Sequence, residues 1–413
     1  MKAALILLFF HAGLLTLLGK DIYVGPSQKY VRIADALEVA SAKDRIIVEK
    51  GYYRENNLII DKAIHLVGRD LPVIDGNNGG DIVIIRSDNV KIEGFSIQNS
   101  GYSSVKDYAG IKVENSSDCT IERNQLIHCY FAIYLSGVSN SIVSNNILNG
   151  ESVKESGSGN GIHLWKCSFV QVEFNESGSH RDGIYLEFSE NCKVTNNLSK
   201  DNLRYGLHFM FSHGNTYACN IFKNNGAGVA VMYTRNIEMT DNIFEENRGP
   251  AAYGLLLKDI SKSTIKRNKF KNNTMGVFME GANSLQLTDN EFISNGWGIK
   301  FMGNCLKNTI SRNNFLNNTF DITTNSFESG KQNYTSGNFW DKYKGYDLDK
   351  NETGDQAYRP VSLFSVYVEK IPHSIVLLRS FMVDLLDSIE QAVPALIPET
   401  LSDDKPLMKR IPL

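Results

Sequence analysis

Three histidines and two methionines in the middle of the chain are candidate metal ligands. His208 and Met210 are separated by one residue, and Met232 follows 22 residues after Met210. Thioether sulfur and imidazole nitrogen are soft to borderline ligands, which favour copper(I) over hard cations. The pattern therefore predicts a copper(I) site at His208, Met210 and Met232, with His163 or His213 assisting.

The same residues also allow a second interpretation, a surface that docks another protein. Trp165 and Tyr185 share the spacing of the candidate ligands, where an exposed strand normally carries Lys, Glu, Thr or Ser. Methionine and aromatic side chains adapt well to partner surfaces. The two interpretations are compatible, because a metal ion that passes between proteins must lie at a docking surface.

Catalysis on an acidic polysaccharide is a third interpretation. Such lyases and epimerases need a tight cluster of carboxylates, usually with Arg or Lys. Glu114, Glu187 and Glu280 are isolated from one another, and the nearest mixed cluster is His180-Arg181-Asp182. The sequence therefore favours a protein that is not an enzyme. A polysaccharide lyase, an epimerase or a carbohydrate-binding protein remains the alternative.

A repeat of about 22 residues positions the candidate ligands. Its first motif is Gly followed by apolar–any–apolar, and it begins at Gly110, Ala132 (in place of Gly), Gly161, Gly183, Gly206, Gly228, Gly254, Gly276 and Gly298. Its second motif is Asn–any–apolar, and it begins at Asn124, Asn145, Asn196, Asn220, Asn242, Asn268, Asn290 and Asn313. A unit this short suits strands that pair in parallel with the same strand of the next turn. The sequence predicts an all-β fold, a right-handed parallel β-helix with stacked Asn ladders.

Strand alternation then sorts the first motif into inward and outward positions. The first outward column is Lys112, Tyr134, His163, Tyr185, His208, Ala230, Leu256, Phe278 and Lys300. The second outward column is Glu114, Ser136, Trp165, Glu187, Met210, Met232, Lys258, Glu280 and Met302. We therefore expect His208, Met210 and Met232 to lie on neighbouring turns of one exposed face.

Composition divides the chain into four predicted parts. Residues 1–20 read as a secretory signal, with Lys2 before a long apolar run, although an uncleaved anchor stays open. Residues 21–330 form the β-helix, capped by a short amphipathic helix with the apolar positions Ile33, Ala36, Leu37 and Ala40. Proline is nearly absent between Pro72 and Pro360, which fits continuous strand pairing. Residues 331–372 form an irregular extension, and residues 373–413 a C-terminal amphipathic helix and tail.

The C-terminal part offers two further features. Apolar residues recur at helical spacing over 374–393, as Ile375, Leu378, Met382, Leu385 and Ile389. This helix either packs on its own domain or contacts a partner or a membrane surface. Before it, a D-x-D-x-N run supplies oxygen ligands suited to calcium, at Asp347, Asp349, Asn351 and Asp355. The run lacks Gly at the sixth position of such a loop, so a plain polar loop is the alternative.

Charge and cysteine content limit the partners. The net charge of −3 gives no field for binding phosphate backbones, so we expect no nucleic-acid partner. Six cysteines in an exported chain permit disulfides, but none has zinc-site spacing, and small buried apolar residues are the simpler interpretation.

Several stretches resemble the NosD family of periplasmic copper-maturation proteins, which are associated with nitrous oxide reductase. They are residues 203–213 (LRYGLHFMFSH), 338–349 (NFWDKYKGYDLD), 358–364 (YRPVSLF), 380–386 (SFMVDLL) and 394–400 (PALIPET). The resemblance implies a non-catalytic periplasmic protein. It would act with an ABC transporter and a copper chaperone on the copper centres of nitrous oxide reductase. It also implies that the C-terminal region associates with the membrane through the transporter's membrane subunit. The resemblance supplies no set of ligand residues.

Overall fold

The computed structural model describes residues 19–393 and 400–412. The described chain winds into a right-handed parallel β-helix, as the repeat predicts, and each turn adds one strand to each of three sheets. The proposed signal at residues 1–20 lies almost wholly outside the described residues. Among the described residues, no helix is long and apolar enough to cross a membrane.

The three sheets run the length of the coil and are named sheets 1, 2 and 3. Sheet 1 contains Asp21–Val24, Arg45–Val48, His65–Gly68, Lys91–Glu93, Thr120–Glu122, Ile142–Ser144, Gln171–Glu173, Lys193–Thr195, Thr216–Ala218, Glu238–Thr240, Thr264–Lys266, Gln286–Thr288, Thr309–Ser311 and Tyr334–Ser336. Sheet 2 contains Tyr52–Arg54, Val73–Asp75, Ser96–Gln98, Gln125–Ile127, Ile147–Asn149, Glu176–Gly178, Leu198–Lys200, Ile221–Lys223, Ile243–Glu245, Lys269–Lys271, Glu291–Ile293, Asn314–Leu316 and Phe339–Trp340. Sheet 3 contains Leu58–Ile60, Val83–Ile85, Ala109–Glu114, Phe131–Ser136, Ile162–Trp165, Asp182–Glu187, Tyr205–Met210, Ala227–Met232, Tyr253–Lys258, Met275–Glu280, Trp297–Phe301 and Phe320–Thr324.

Buried Asn side chains form ladders along the coil, with one correction to the predicted register. Asn197 Oδ1 accepts a hydrogen bond from the Asn175 backbone at 2.9 Å, and its Nδ2 donates to Asn220 Oδ1 at 3.0 Å. The ladder residues are Asn146 and Asn197 rather than the predicted Asn145 and Asn196. Those two are exposed at φ values of 55° and 56°. Each corner needs one left-handed residue before the ladder residue, and Asn suits both positions.

The interior is apolar, and side chains of the same type stack on one another in successive turns. Five aromatic rings lie face over face with centroids 4.2–5.0 Å apart, and these are Phe244, Phe270, Phe292, Phe315 and Trp340. Phe222 precedes them, tilted by 33° at 5.4 Å from Phe244. All six cysteines are free thiols, and five of them are buried. The five buried cysteines therefore act as small apolar residues, whereas Cys219 is exposed.

Both ends of the coil are covered, which removes open sheet edges. Helix α1 (Ile33–Val39) covers the first turn, as predicted, with Ile33, Ala36 and Leu37 buried. At the other end, Asp403 terminates the Asn ladder. Its carboxylate accepts hydrogen bonds from Asn338 Nδ2 and Trp340 Nε1, both at 3.0 Å. The last described residues thus close the coil rather than extend away from it.

The C-terminal region differs from its predicted outline. The strands continue to Trp340, beyond the boundary at residue 330, and helix α2 (Phe327–Gly330) interrupts the last turn. The segment predicted as irregular contains helix α3 (Leu363–Lys370). The single helix predicted over 374–393 is a 3₁₀ turn (Pro372–Leu377) followed by helix α4 (Phe381–Ala392). Arg379 separates them at φ 66°, a left-handed conformation that no α-helix interior contains.

Candidate functional site

The outer face of sheet 3 carries a continuous column of rings. Tyr134, His163, Tyr185 and His208 occupy paired positions on successive strands. Their centroids are 4.9, 4.7 and 4.5 Å apart, and the last two rings are parallel to within 8°. The predicted first outward column is therefore present as a stack, with Ala230 following His208.

This column is buried, although we expected an exposed face. His163 and His208 are 7% and 4% exposed. The residue before each motif glycine also reaches the outer face, where it covers the rings. Tyr205 lies 4.9 Å from His208 and Phe131 lies 5.4 Å from Tyr134 between ring centroids. A prediction from strict strand alternation misses this third column, because the pairing between neighbouring strands skips the motif glycine.

The third column also supplies a buried ion pair. Asp182 is fully buried and accepts a hydrogen bond from Arg204 Nε at 2.8 Å, while His208 Nδ1 lies 3.6 Å from its other carboxylate oxygen. Burial raises the pKa of Asp182, but the hydrogen bonds from Arg204 and His208 outweigh burial and lower that pKa to about 2. A carboxylate behind one nitrogen of an imidazole orients the other nitrogen toward a ligand.

His208, Met210 and Met232 come together on this face. His208 and Met210 are two residues apart on one strand, so both point outward, and Met210 pairs with Met232 on the next strand. The residue paired with His208 is Ala230, which is fully buried. Tyr185 lies on the opposite side and donates its hydroxyl hydrogen toward Met210 Sδ at 3.5 Å.

The two assisting histidines lie elsewhere. His163 is two strands from His208 with the Tyr185 ring between them, a separation of about 9.6 Å at the usual strand spacing. Its Nε2 instead lies 3.8 Å from Glu187 Oε2. His213 follows the strand at a corner, and its Nδ1 lies 3.3 Å from Thr234 Oγ1. Neither arrangement places the imidazole beside the two methionines.

The donor set at His208 suits a soft metal ion. His208 Nε2 is buried and has no hydrogen-bond partner, so this nitrogen is available as a ligand. Burial lowers the pKa of His208, which keeps the imidazole neutral near pH 7. Among the described residues, no three His, Cys, Asp or Glu side chains are grouped as a metal site requires. A metal ion on this face would therefore depend on thioether sulfur.

The predicted calcium loop gains no support. Asp347 accepts hydrogen bonds from the backbone nitrogens of Asn351 and Glu352, and Asp355 accepts one from Leu348. Asp349 accepts from Asn351 Nδ2 at 2.8 Å. These carboxylates hold the backbone of their own loop.

Two residues of the mixed cluster, His180 and Asp182, are buried as well. His180 is 1% exposed and Asp182 is enclosed by Arg204 and His208. Glu187 is the nearest outward carboxylate, and it faces His163. These carboxylates do not form an open acid–base pair.

Comparison with protein families agrees with the resemblance. Residues 148–345 match the family model described as "Periplasmic copper-binding protein (NosD)", and residues 22–177 match a model of a right-handed β-helix region. A curated protein from Pseudomonas aeruginosa, named as a probable ABC transporter binding protein NosD, is 29% identical over 86% of each chain. The chain is therefore similar to NosD proteins along most of its length. A second NosD protein, from Stutzerimonas stutzeri, is 28% identical over 86% of this chain and 85% of its own.

Solved structures outside the NosD family share the fold alone. A family 28 exopolygalacturonase from Yersinia enterocolitica has a TM-score of 0.58 at 9% identity, covering 78% of this chain and 79% of its own. The A-module of a mannuronan C-5 epimerase from Azotobacter vinelandii has a TM-score of 0.51 at 18% identity, covering 74% and 88%. At such identities the shared β-helix carries no information about activity.

Proposed function

We propose that this chain is a member of the NosD family and a non-catalytic periplasmic accessory protein that holds copper(I) as cargo at His208, Met210 and Met232. With an ABC transporter and a copper chaperone it supports assembly of the copper centres of nitrous oxide reductase. The description of the matching family and the names of the relatives support the copper and transporter parts of this proposal. The observation that carries the site is the unpartnered Nε2 of His208 beside two paired methionines.

The proposed site suits transfer rather than storage. One imidazole and two thioethers are neutral ligands that select copper(I). Asp182 fixes the orientation of His208 from behind, at 3.6 Å from Nδ1. Met210 and Met232 are both partly exposed, so a partner protein can reach the sulfur atoms from outside.

We further propose that helix α4 meets the membrane subunit of the transporter. Phe381 and Met382 are 81% and 63% exposed, and Leu385 on the same helix is also exposed. Large apolar side chains at this density on one short helix suit burial against a partner. A contact of this kind would associate the protein with the membrane through its partner.

A competition titration with a colourimetric copper(I) chelator tests the site. We expect the His208→Ala/Met210→Leu double variant to lose at least about tenfold in copper(I) affinity, the equivalent of about 1.4 kcal/mol. Met302→Leu is the matched control, because Met302 is an outward methionine of the same column several strands away. Unchanged affinity in the double variant, with the melting temperature preserved, would refute the assignment.

A further inference from the structure

A cavity of about 450 Å³ lies between the end of the coil and helix α4. The coil contributes Asp321, from the last strand of sheet 3, and Asp341, just after the last strand of sheet 2. Helix α4 contributes Asp387 and Glu390 from the opposite side. Four carboxylates therefore line one cavity from two walls.

Two of these carboxylates have an oxygen atom without a hydrogen bond. Asp321 is 2% exposed, and its Oδ1 accepts from Asn318 Nδ2 at 3.3 Å while its Oδ2 has no hydrogen-bond partner. Lys342 Nζ lies 3.4 Å from that Oδ2 and also donates to the Thr319 carbonyl at 3.0 Å, so its ammonium group offsets part of the charge on Asp321 without a hydrogen bond to Oδ2. Asp341 Oδ1 is likewise buried without a partner. An unsatisfied buried carboxylate oxygen is costly unless a ligand satisfies it.

Acidic side chains in the cavity lining outnumber basic ones by four to three. The ammonium group of Lys342 reaches Asp321, Lys344 is exposed, and Arg359 has an interaction of its own. Burial raises the pKa of Glu390 to about 7 although the Leu363 backbone nitrogen donates to it. Burial also raises the pKa of Asp387. A bound cation would relieve the cost of ionising these groups.

The walls between the carboxylates are aromatic and apolar. Tyr343, Tyr358 and Phe364 line the cavity, together with Leu378 and Val383. Aromatic faces attract cations and apolar walls accommodate an alkyl stem. The carboxylates are not grouped as a metal ion requires, since the described residues contain no such group of three. An extended organic cation with several N–H donors fits carboxylates on two separate walls better than a metal ion does.

We infer that this cavity binds an alkyl guanidinium or primary alkylammonium group. The group is either a small molecule or the Arg or Lys side chain of another protein. Its N–H groups bond Asp321 Oδ2 and Asp341 Oδ1, and its stem lies against the tyrosine rings. This site is separate from the copper face, so its test does not involve copper.

Calorimetric titration of the full chain in EDTA tests the inference. The probes are n-butylguanidinium, its neutral counterpart n-butylurea, and a pair of short peptides that contain arginine or citrulline at one position. We expect saturable binding of n-butylguanidinium and no binding of n-butylurea. Tighter binding of the arginine peptide than of n-butylguanidinium would identify a protein side chain as the ligand. Binding of n-butylguanidinium without the peptide would identify a small molecule.

The Asp321→Asn variant separates binding from folding. Asn removes a buried charge whose pKa burial raises, so we expect a higher melting temperature together with at least about tenfold weaker binding of n-butylguanidinium. A folding defect would instead lower the melting temperature. Asp241→Asn is the control, because Asp241 forms an exposed ion pair with Arg267 on the coil. The inference is overturned if no cationic probe binds the natural chain or if Asp321→Asn binds it equally well.

Discussion

The inside and the outside of the coil differ in how strictly one turn constrains the next. Inside, one residue type repeats from Phe222 to Phe315, because each ring must match the ring above it. Outside, the column changes from Tyr185 to His208 to Ala230 within three strands. Interior stacks determine the fold, whereas outer positions can acquire binding residues without disturbing the coil.

The largest expected effect comes from breaking an interior ladder. Asn197→Ala removes five side-chain hydrogen bonds and leaves the buried backbone nitrogen of Asn175 without its acceptor. We expect a loss of about 4 kcal/mol in the free energy of unfolding, measured by urea denaturation.

Its sequence neighbour is the matched control. Asn196 is exposed at φ 56°, a conformation that Gly adopts freely. Asn196→Gly should therefore change the free energy of unfolding by less than about 0.5 kcal/mol. A larger effect of Asn196→Gly than of Asn197→Ala would show that the ladder has the other register.

A second pair of substitutions tests whether ion pairs on the outer face contribute to stability only where they are buried. Asp182→Asn removes the charge that Arg204 and His208 face, and we expect a loss of about 3 kcal/mol at pH 7. The exposed pair of Asp241 and Arg267 is the comparison, and Asp241→Asn should cost less than about 1 kcal/mol.

The pH dependence of this difference has a defined sign. The pKa of Asp182 in the folded protein is about 2, below the ordinary value of 3.8, so its ionised form stabilises the folded state above about pH 4. That contribution is lost as the pH falls toward 2. The stability gap between the natural chain and Asp182→Asn should therefore narrow between pH 7 and pH 3. A gap that widened on acidification would contradict the assigned ion pair.

The sequence predicted the repeated strand and corner motifs but missed the column beside them and the break between the last two helical segments. The Gly and Asn motifs were sufficient for the coil and for the placement of His208, Met210 and Met232. The outer column that contains Asp182 could not be predicted from strict alternation. The pairing between strands skips each motif glycine, which shifts the alternation at one end of the strand. The break in the helix at Arg379 could not be predicted either, because the helical spacing of apolar residues continues across it while the backbone adopts a left-handed conformation.

The smallest expected effect lies at the corners that follow the outer strands. Most of these corners hold Asn, Gly, Asp or Lys at positive φ, but three successive ones hold Phe188, Phe211 and Tyr233. Their rings are exposed and stack at 5.3 and 5.1 Å. Bulky residues strain a left-handed corner by about 1 kcal/mol, which roughly cancels what ring stacking contributes.

Phe211→Asn should therefore leave the free energy of unfolding within about 0.5 kcal/mol of the natural value, since Asn suits the corner. Asn115 holds an equivalent corner at φ 48° and provides the precedent within the same chain. A loss above about 2 kcal/mol in urea denaturation would show that the stacked rings support the coil. A near-neutral result would mean that the coil does not require aromatic residues beside Met210 and Met232, and that their presence there needs an explanation other than folding.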